Sequence, residues 1–153
     1  MQNDNFYLSN EDYDKGVSLM IRLCLDFIIV KDNKVLLSKR EIEPYKGFWH
    51  LPGGMVKKGE SIKQAAERII TSELSLKPLS MEMAGYIEYL DEKIPDKGIS
   101  THSVSIAFKT VLETGEIKGS FQAKEIKFFS DIPDGIIPEM KDFLNKNWDS
   151  LTN

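Results

Sequence analysis

One cysteine, two histidines and no long apolar run limit what this 153-residue chain can be. A lone cysteine, Cys24, excludes a disulfide framework within the chain and a cysteine-based metal cluster, and it fits a reducing cytoplasm. Its place inside an apolar run reads as core packing. The longest such run, residues 21–30, is broken by Arg22 and Asp26 and falls short of the roughly 20 residues that span a bilayer. The opening residues lack the basic-then-apolar layout of a secretory signal. A cytoplasmic protein without a membrane partner is therefore expected. Positive charge is scarce as well, with 20 Lys and Arg against 24 Asp and Glu, a net charge of −4. Binders of polymeric nucleic acid usually carry a basic face, so no such partner is expected, whereas a single nucleotide needs only a few local cations.

The length suits one domain spanning residues 1–153 with one core. No repeat, low-complexity tract or linker divides it. Apolar spacing and turn residues predict strands over residues 22–30, 34–39, 48–51, 83–90, 102–112 and 125–129. Ser9 to Asp12 has the composition of a cap for a short first helix. Asp32-Asn33 reads as a turn, and residues 91–100, with Pro95 and Gly98, as a polar loop. A helix is predicted over 61–74, opened by Ser61 and Gln64 as a capping box. A closing helix is predicted over 136–148, with Pro138 in its first turn. Several strands and two or three helices give an α/β domain with a mixed sheet, which does not by itself fix a function.

The helix over 61–74 carries a charge on its apolar side. With Ile62 at zero and about 100° per residue, Ile69, Ala66 and Ile70 fall within one stripe, and Glu73 falls near its middle, at about 20°. A carboxylate there is costly unless paired or bound to metal. Three readings stay open: solvation in the last turn, pairing with Arg68 or Arg40, and metal ligation. Before the helix, Gly53-Gly54 leads toward its N-terminus, a turn that lets backbone approach an anion or metal closely. Asp26, alone among Leu, Phe and Ile in its strand, is either half of a structural ion pair or a site residue.

Gly54, Glu60, Arg68, Ile70, Glu73 and Leu76 stand at the spacing of the signature box of the Nudix hydrolases, and Gly47-Phe48-Trp49-His50-Leu51-Pro52-Gly53-Gly54 resembles that family's lead-in. Ile69 and Ser72 stand where the box usually has glutamates, and Ser75 where it has glycine. The segment Glu67 to Leu74 resembles the GDP-mannose mannosyl hydrolase branch, whose box lacks the same glutamates. The resemblance runs from the first helix to the strand near Phe129. It implies an α/β/α sandwich with a mixed central sheet, a Mg²⁺ cofactor, a nucleotide or nucleotide-sugar substrate and a homodimer.

Residue by residue, the resemblance implies that Gly53, Glu73 and Gln122 ligate Mg²⁺. Asp26 acts at the reacting centre and on the substrate, and Arg40 on the diphosphate. Thr101-His102 matches the branch, and His102 is expected on the substrate. Arg68 is either catalytic or structural. The branch has a histidine base where this chain has Ala123, an arginine where it has Met55 and a tyrosine where it has Ser103. Replacement bases are Glu125, His102 or a carboxylate among Asp91, Glu92 and Asp96. One retained box glutamate suits one cation and water attack on the anomeric carbon of a nucleotide sugar. The box itself suits attack on phosphorus, and the absent glutamates and histidine suit a binding module.

Overall fold

A computed structural model describes residues 8–120, 123 and 125–153. Local signals set most of its elements. Ser9 caps helix α1 (Asn10–Leu19), accepting the Asp12 amide at 3.1 Å, with Glu11 and Asp12 in the first turn where the dipole favours negative charge. The strand expected over 22–30 is divided into β1 (Ile21–Ile28) and a short β2 (Val30–Lys31). The chain then reverses at Asp32 and Asn33, both left-handed at φ 51° and 58°, as a two-residue hairpin requires. β3 (Lys34–Lys39) matches its expected span.

β4 (Trp49–His50) is followed by β5 (Gly53–Met55), so the double glycine lies in a strand rather than a turn. Helix α2 (Ile62–Leu74) begins with both halves of the capping box: Gln64 N–H donates to Ser61 Oγ at 3.1 Å, and Ser61 N–H to Gln64 Oε1 at 2.9 Å. It ends at Ser75, left-handed at φ 60°.

The polar loop expected over 91–100 is largely strand. β6 (Pro78–Ile94) and β7 (Ile99–Leu112) form one long hairpin, joined by a 3₁₀ turn at Pro95–Lys97 and by Gly98 at φ 63°. Glu92, Lys93 and Ile94 pair with Thr101, Ser100 and Ile99, so these polar residues belong to a ladder. Lys97 Nζ donates to Asp14 Oδ1 at 2.8 Å and ties the hairpin tip to α1. β8 (Ile126–Phe129) and α3 (Pro138–Thr152), with proline in its first turn, complete the fold.

The first sheet is mixed, in the order β5-β1-β7-β6; β1 runs parallel to β7 and the other pairs are antiparallel. In the second sheet β3 pairs with β2 and β4 on one edge and β8 on the other. Alternation along the strands feeds two cores. Leu25, Phe27 and Phe108 pack with Ala66, Ile69 and Ile70 of α2, while Ile87 and Ala107 pack with Met140 and Leu144 of α3. The result is the α/β/α arrangement expected. No helix among the described residues is long and apolar enough to cross a membrane.

Candidate active site

A cleft of about 530 Å³ opens where the first sheet meets the β5–α2 junction. Its floor comes from residues that alternation turns away from α2: Arg22, Cys24 and Asp26 of β1, and Ser103 and Ser105 of β7. Tyr89 and Glu92 of β6 join them. Three residues apart, these two are expected on opposite faces of a strand. A register shift between them inserts one extra residue, since Tyr89 pairs with Ser103 and Glu92 with Thr101, and both side chains reach the cleft.

Asp26 is buried, and burial lifts its carboxyl from 3.8 to about 6; the nearby Ser105 and Tyr89 hydroxyls oppose the rise. Tyr89 donates its hydroxyl to Asp26 Oδ2 at 3.2 Å. The Ser105 hydroxyl lies fully buried beside it, yet outside hydrogen-bond geometry with any described residue. Gly53 is opposite Asp26 in the β1–β5 pair. A Cβ there would collide with the Leu25 carbonyl and stand 2.5 Å from Asp26 Oδ1. Only glycine lets the two strands close at this point.

Arg68 spends its guanidinium on the loop below the cleft. Nε and Nη2 donate to Glu60 at 2.5 and 2.9 Å, and Nη2 also to the Met55 carbonyl at 2.9 Å. Glu60 in turn accepts the Lys57 amide at 2.8 Å, and the Arg68 bond holds its pKa below the ordinary value. Glu73, five residues along the same helix, is half-buried in the cleft wall. Burial raises its pKa, opposed by the Ser120 hydroxyl, which donates at 3.3 Å, and by the Arg40 charge. None of the ion pairs among the described residues includes Glu73 or Arg40, so the reading that pairs Glu73 with Arg68 or Arg40 is not met.

Arg40, just beyond β3, donates Nε to the Pro44 carbonyl at 2.5 Å. Burial lowers its pKa, and Glu92 and then Glu73 are the strongest charges opposing that. A guanidinium keeps its proton through such a shift, so it remains a partly desolvated cation in the cleft. His50 is buried beside Ser38 at 3.2 Å, and burial, with Arg40 nearby, pushes its pKa down to about 3, so its ring is neutral.

Of the residues singled out in the sequence, Asp26, Arg40, Gly53, Arg68 and Glu73 meet in this cleft. Glu125 and His102 are not among its lining residues. The Glu125 carbonyl accepts the Lys39 amide at the β3–β8 edge, and its exposed carboxylate lies 3.7 Å from Lys39 Nζ. His102 is turned to the face opposite Thr101 and Ser103, because neighbours in a strand alternate. Gln122 lies outside the described residues, as does Phe121. Ile69 and Ser72 line the cleft beside Glu73, so α2 presents one carboxylate there. Sequence reading named Glu92 among the replacement bases but missed the set that holds it. Arg22 donates Nε to Ser103 at 3.1 Å and Nη2 to Thr101 at 2.9 Å and Glu92 at 3.4 Å. Its signals were an arginine in the first strand and a carboxylate in a stretch read as a polar loop.

The NUDIX domain pattern matches residues 22–132, from the floor strand through the cleft to β8. The chain belongs to the NUDIX family. Among its relatives, an ADP-ribose pyrophosphatase of Methanocaldococcus jannaschii is 39% identical over 107 residues, covering 70% of this chain and 60% of that protein. The low-salt glycan biosynthesis protein Agl8 of Haloferax volcanii is 27% identical over 139 residues, 90% of this chain and 89% of that one. The solved MutT NUDIX hydrolase of Burkholderia pseudomallei superposes with a TM-score of 0.71 at 24% identity, covering 82% of this chain and 97% of that chain. The NUDIX chain described here thus spans about 60% of the M. jannaschii relative's length.

Proposed function

We propose that this protein is a Mg²⁺-dependent hydrolase of a nucleoside diphosphate linked to a sugar, releasing the nucleoside diphosphate and the free sugar. One observation carries the reading: a partly desolvated cation, Arg40, and a half-buried carboxylate, Glu73, share one cleft without neutralising each other in an ion pair. That combination suits a diphosphate with its counter-ion. Arg40 takes the anionic oxygens, and a guanidinium binds phosphate with directed, charge-assisted hydrogen bonds.

Among the described residues no group of three His, Cys, Asp or Glu side chains is placed to hold a metal. The donors on offer are the Glu73 carboxylate and the Gly53 carbonyl, both at the cleft. Such a set fits a hard cation that keeps several waters and completes its shell with substrate phosphate. A cation held there would supply charge neutralisation for the diphosphate. Arg68 and Glu60 brace the end of β5 at Met55, next to the glycine pair. Asp26 and Tyr89, hydrogen-bonded to each other, form part of the cleft floor.

Attack on the anomeric carbon is favoured by the single carboxylate that α2 presents to the cleft, where Ile69 and Ser72 offer no further ligand. A second reading, attack on phosphorus, is favoured by Ala123, which removes the branch's histidine, and by the 39% identity to a protein named as an ADP-ribose pyrophosphatase. Incubation with GDP-mannose and with ADP-ribose in ¹⁸O water with Mg²⁺ separates the two. Label in the sugar with release of nucleoside diphosphate supports the first. Label in phosphate with release of nucleoside monophosphate supports the second and overturns the first.

A further inference from the structure

Whichever bond is cut, the attacking water must lose a proton. Ala123 is buried and offers no acceptor, and His102 and Glu125 are outside the cleft. Among the described residues five carboxylates line it: Asp14, Asp26, Glu43, Glu73 and Glu92. Asp14 is bound to Lys97 at 2.8 Å at the far rim, and Glu43 sits on the loop before Pro44. Glu73 is the carboxylate offered to the cation, and Asp26 is pinned under Gly53 with Tyr89 on its Oδ2. Glu92 is the one whose held oxygen takes both a guanidinium and a hydroxyl. Arg22 Nη2 reaches its Oε1 at 3.4 Å, and Ser103 Oγ donates to the same Oε1 at 3.2 Å. Arg22 is itself fixed by Ser103 and Thr101. Among the described residues no hydrogen bond is made to Oε2.

A base held on one oxygen by an orienting group, with the other left for the water, is the arrangement that activated nucleophiles use. The register shift after Tyr89 turns Glu92 into the cleft, and bulges commonly re-aim a side chain beside an active site. We infer that Glu92 is the general base of this hydrolase, with Arg22 its positioning residue. This rests on the hydrolase reading above but not on which bond is cut. The water oxygen bonds to the electrophilic carbon or phosphorus. The bond to the leaving oxygen breaks and its electron pair stays with the departing phosphate group. The water's proton passes to Oε2 of Glu92 and from there to solvent.

Burial raises the Glu92 pKa, while Arg22, the Ser103 hydroxyl and Arg40 lower it, and Glu139 of α3 raises it. Asp26, Cys24, Tyr89 and Tyr45 also feel its charge. Desolvation is the largest of these influences, so Glu92 is a stronger base than an exposed glutamate.

Steady-state kinetics of the full chain on ADP-ribose and GDP-mannose with Mg²⁺, over pH 4.5–9 (roughly the span where carboxylate and histidine groups titrate), test this. Glu92→Gln is expected to lower kcat by about 10²–10⁴-fold with KM nearly unchanged, and to remove the acid limb of the kcat profile. Glu92→Asp is expected to recover part of kcat and restore that limb. Arg22→Gln is expected to move the limb to higher pH, because the charge that lowers the Glu92 pKa is gone. An active wild type whose Glu92→Gln and Glu92→Asp variants keep both kcat and the acid limb overturns this inference alone. A wild type that turns over neither substrate overturns it together with the hydrolase reading.

Discussion

Arg68 grips Glu60 through two parallel hydrogen bonds, at 2.5 and 2.9 Å, across eight residues that include the start of α2. The consequence lies five residues further along the helix. With Arg68 committed to the loop, Glu73 is left facing the cleft without an arginine on it.

The Arg68–Glu60 pair is partly open to water, so its contribution to stability is modest, about 1 kcal/mol after screening. Arg68→Ala and Glu60→Ala in a double-mutant cycle are expected to show coupling of that size by urea unfolding. The folded-state pKa of Glu60 is lowered, so this stability is present above the ordinary carboxylate value of 4.5 and is lost as pH falls through the lower folded value. Coupling that does not weaken as pH falls below the ordinary carboxylate value contradicts the assignment.

Asp26 has the opposite sign. Its folded pKa, about 6, lies above the 3.8 of an unperturbed aspartate. The folded chain holds the proton more tightly, so stability declines as pH rises through the window from 3.8 to about 6. Asp26→Asn, measured in EDTA, is expected to raise unfolding stability at pH 7.5 by about 1–3 kcal/mol and to change it little at pH 3.5. Activity should fall in the same variant. Equal stabilisation at both pH values contradicts the burial account.

Two backbone positions should respond in opposite directions. Gly53→Ala drives a methyl into the Leu25 carbonyl and Asp26. A loss of about 2–3 kcal/mol is expected, as for overpacking of a closed core, with reduced turnover. Ser75 holds a left-handed conformation at φ 60° and is exposed. Ser75→Gly relieves that and is expected to add up to about 1 kcal/mol. Thermal unfolding of the two variants checks both signs.

Arg40 should govern the diphosphate. Removing a charged hydrogen-bond donor from phosphate costs about 1.5–3 kcal/mol, so Arg40→Ala is expected to lower kcat/KM by about 10–100-fold. Arg40→Lys should recover only part, since a point charge replaces a fork. Calorimetric binding of the nucleoside diphosphate product should weaken in parallel. Unchanged affinity in Arg40→Ala contradicts a diphosphate contact.

Where the signal was local, the sequence was legible. The Asp32-Asn33 turn, the strand at Lys34–Lys39 and the Ser61–Gln64 box each rest on neighbouring residues. Helical spacing alone put Glu73 on the inner face of α2. Only the tip of the β6–β7 hairpin, over residues 91–100, was hidden, because its charged and polar residues with Pro95 and Gly98 read as loop. The Arg22–Glu92–Ser103 set joins residues 70 and 81 positions apart, and no spacing rule reaches that far. Its members met only once the parallel pairing of β1 with β7 and the extra residue after Tyr89 were in place.

The central claim is that Glu73 holds the cation shared with the diphosphate. A crystal soaked in Mn²⁺ and a nucleoside diphosphate, with data collected at the manganese edge, tests it most directly. The account predicts an anomalous peak at ordinary oxygen-ligand distance, about 2.1–2.2 Å, from the Glu73 carboxylate, lost in Glu73→Gln. A peak elsewhere in the cleft, or Glu73 turned onto Arg40 with nucleotide bound and no ion beside it, contradicts the account.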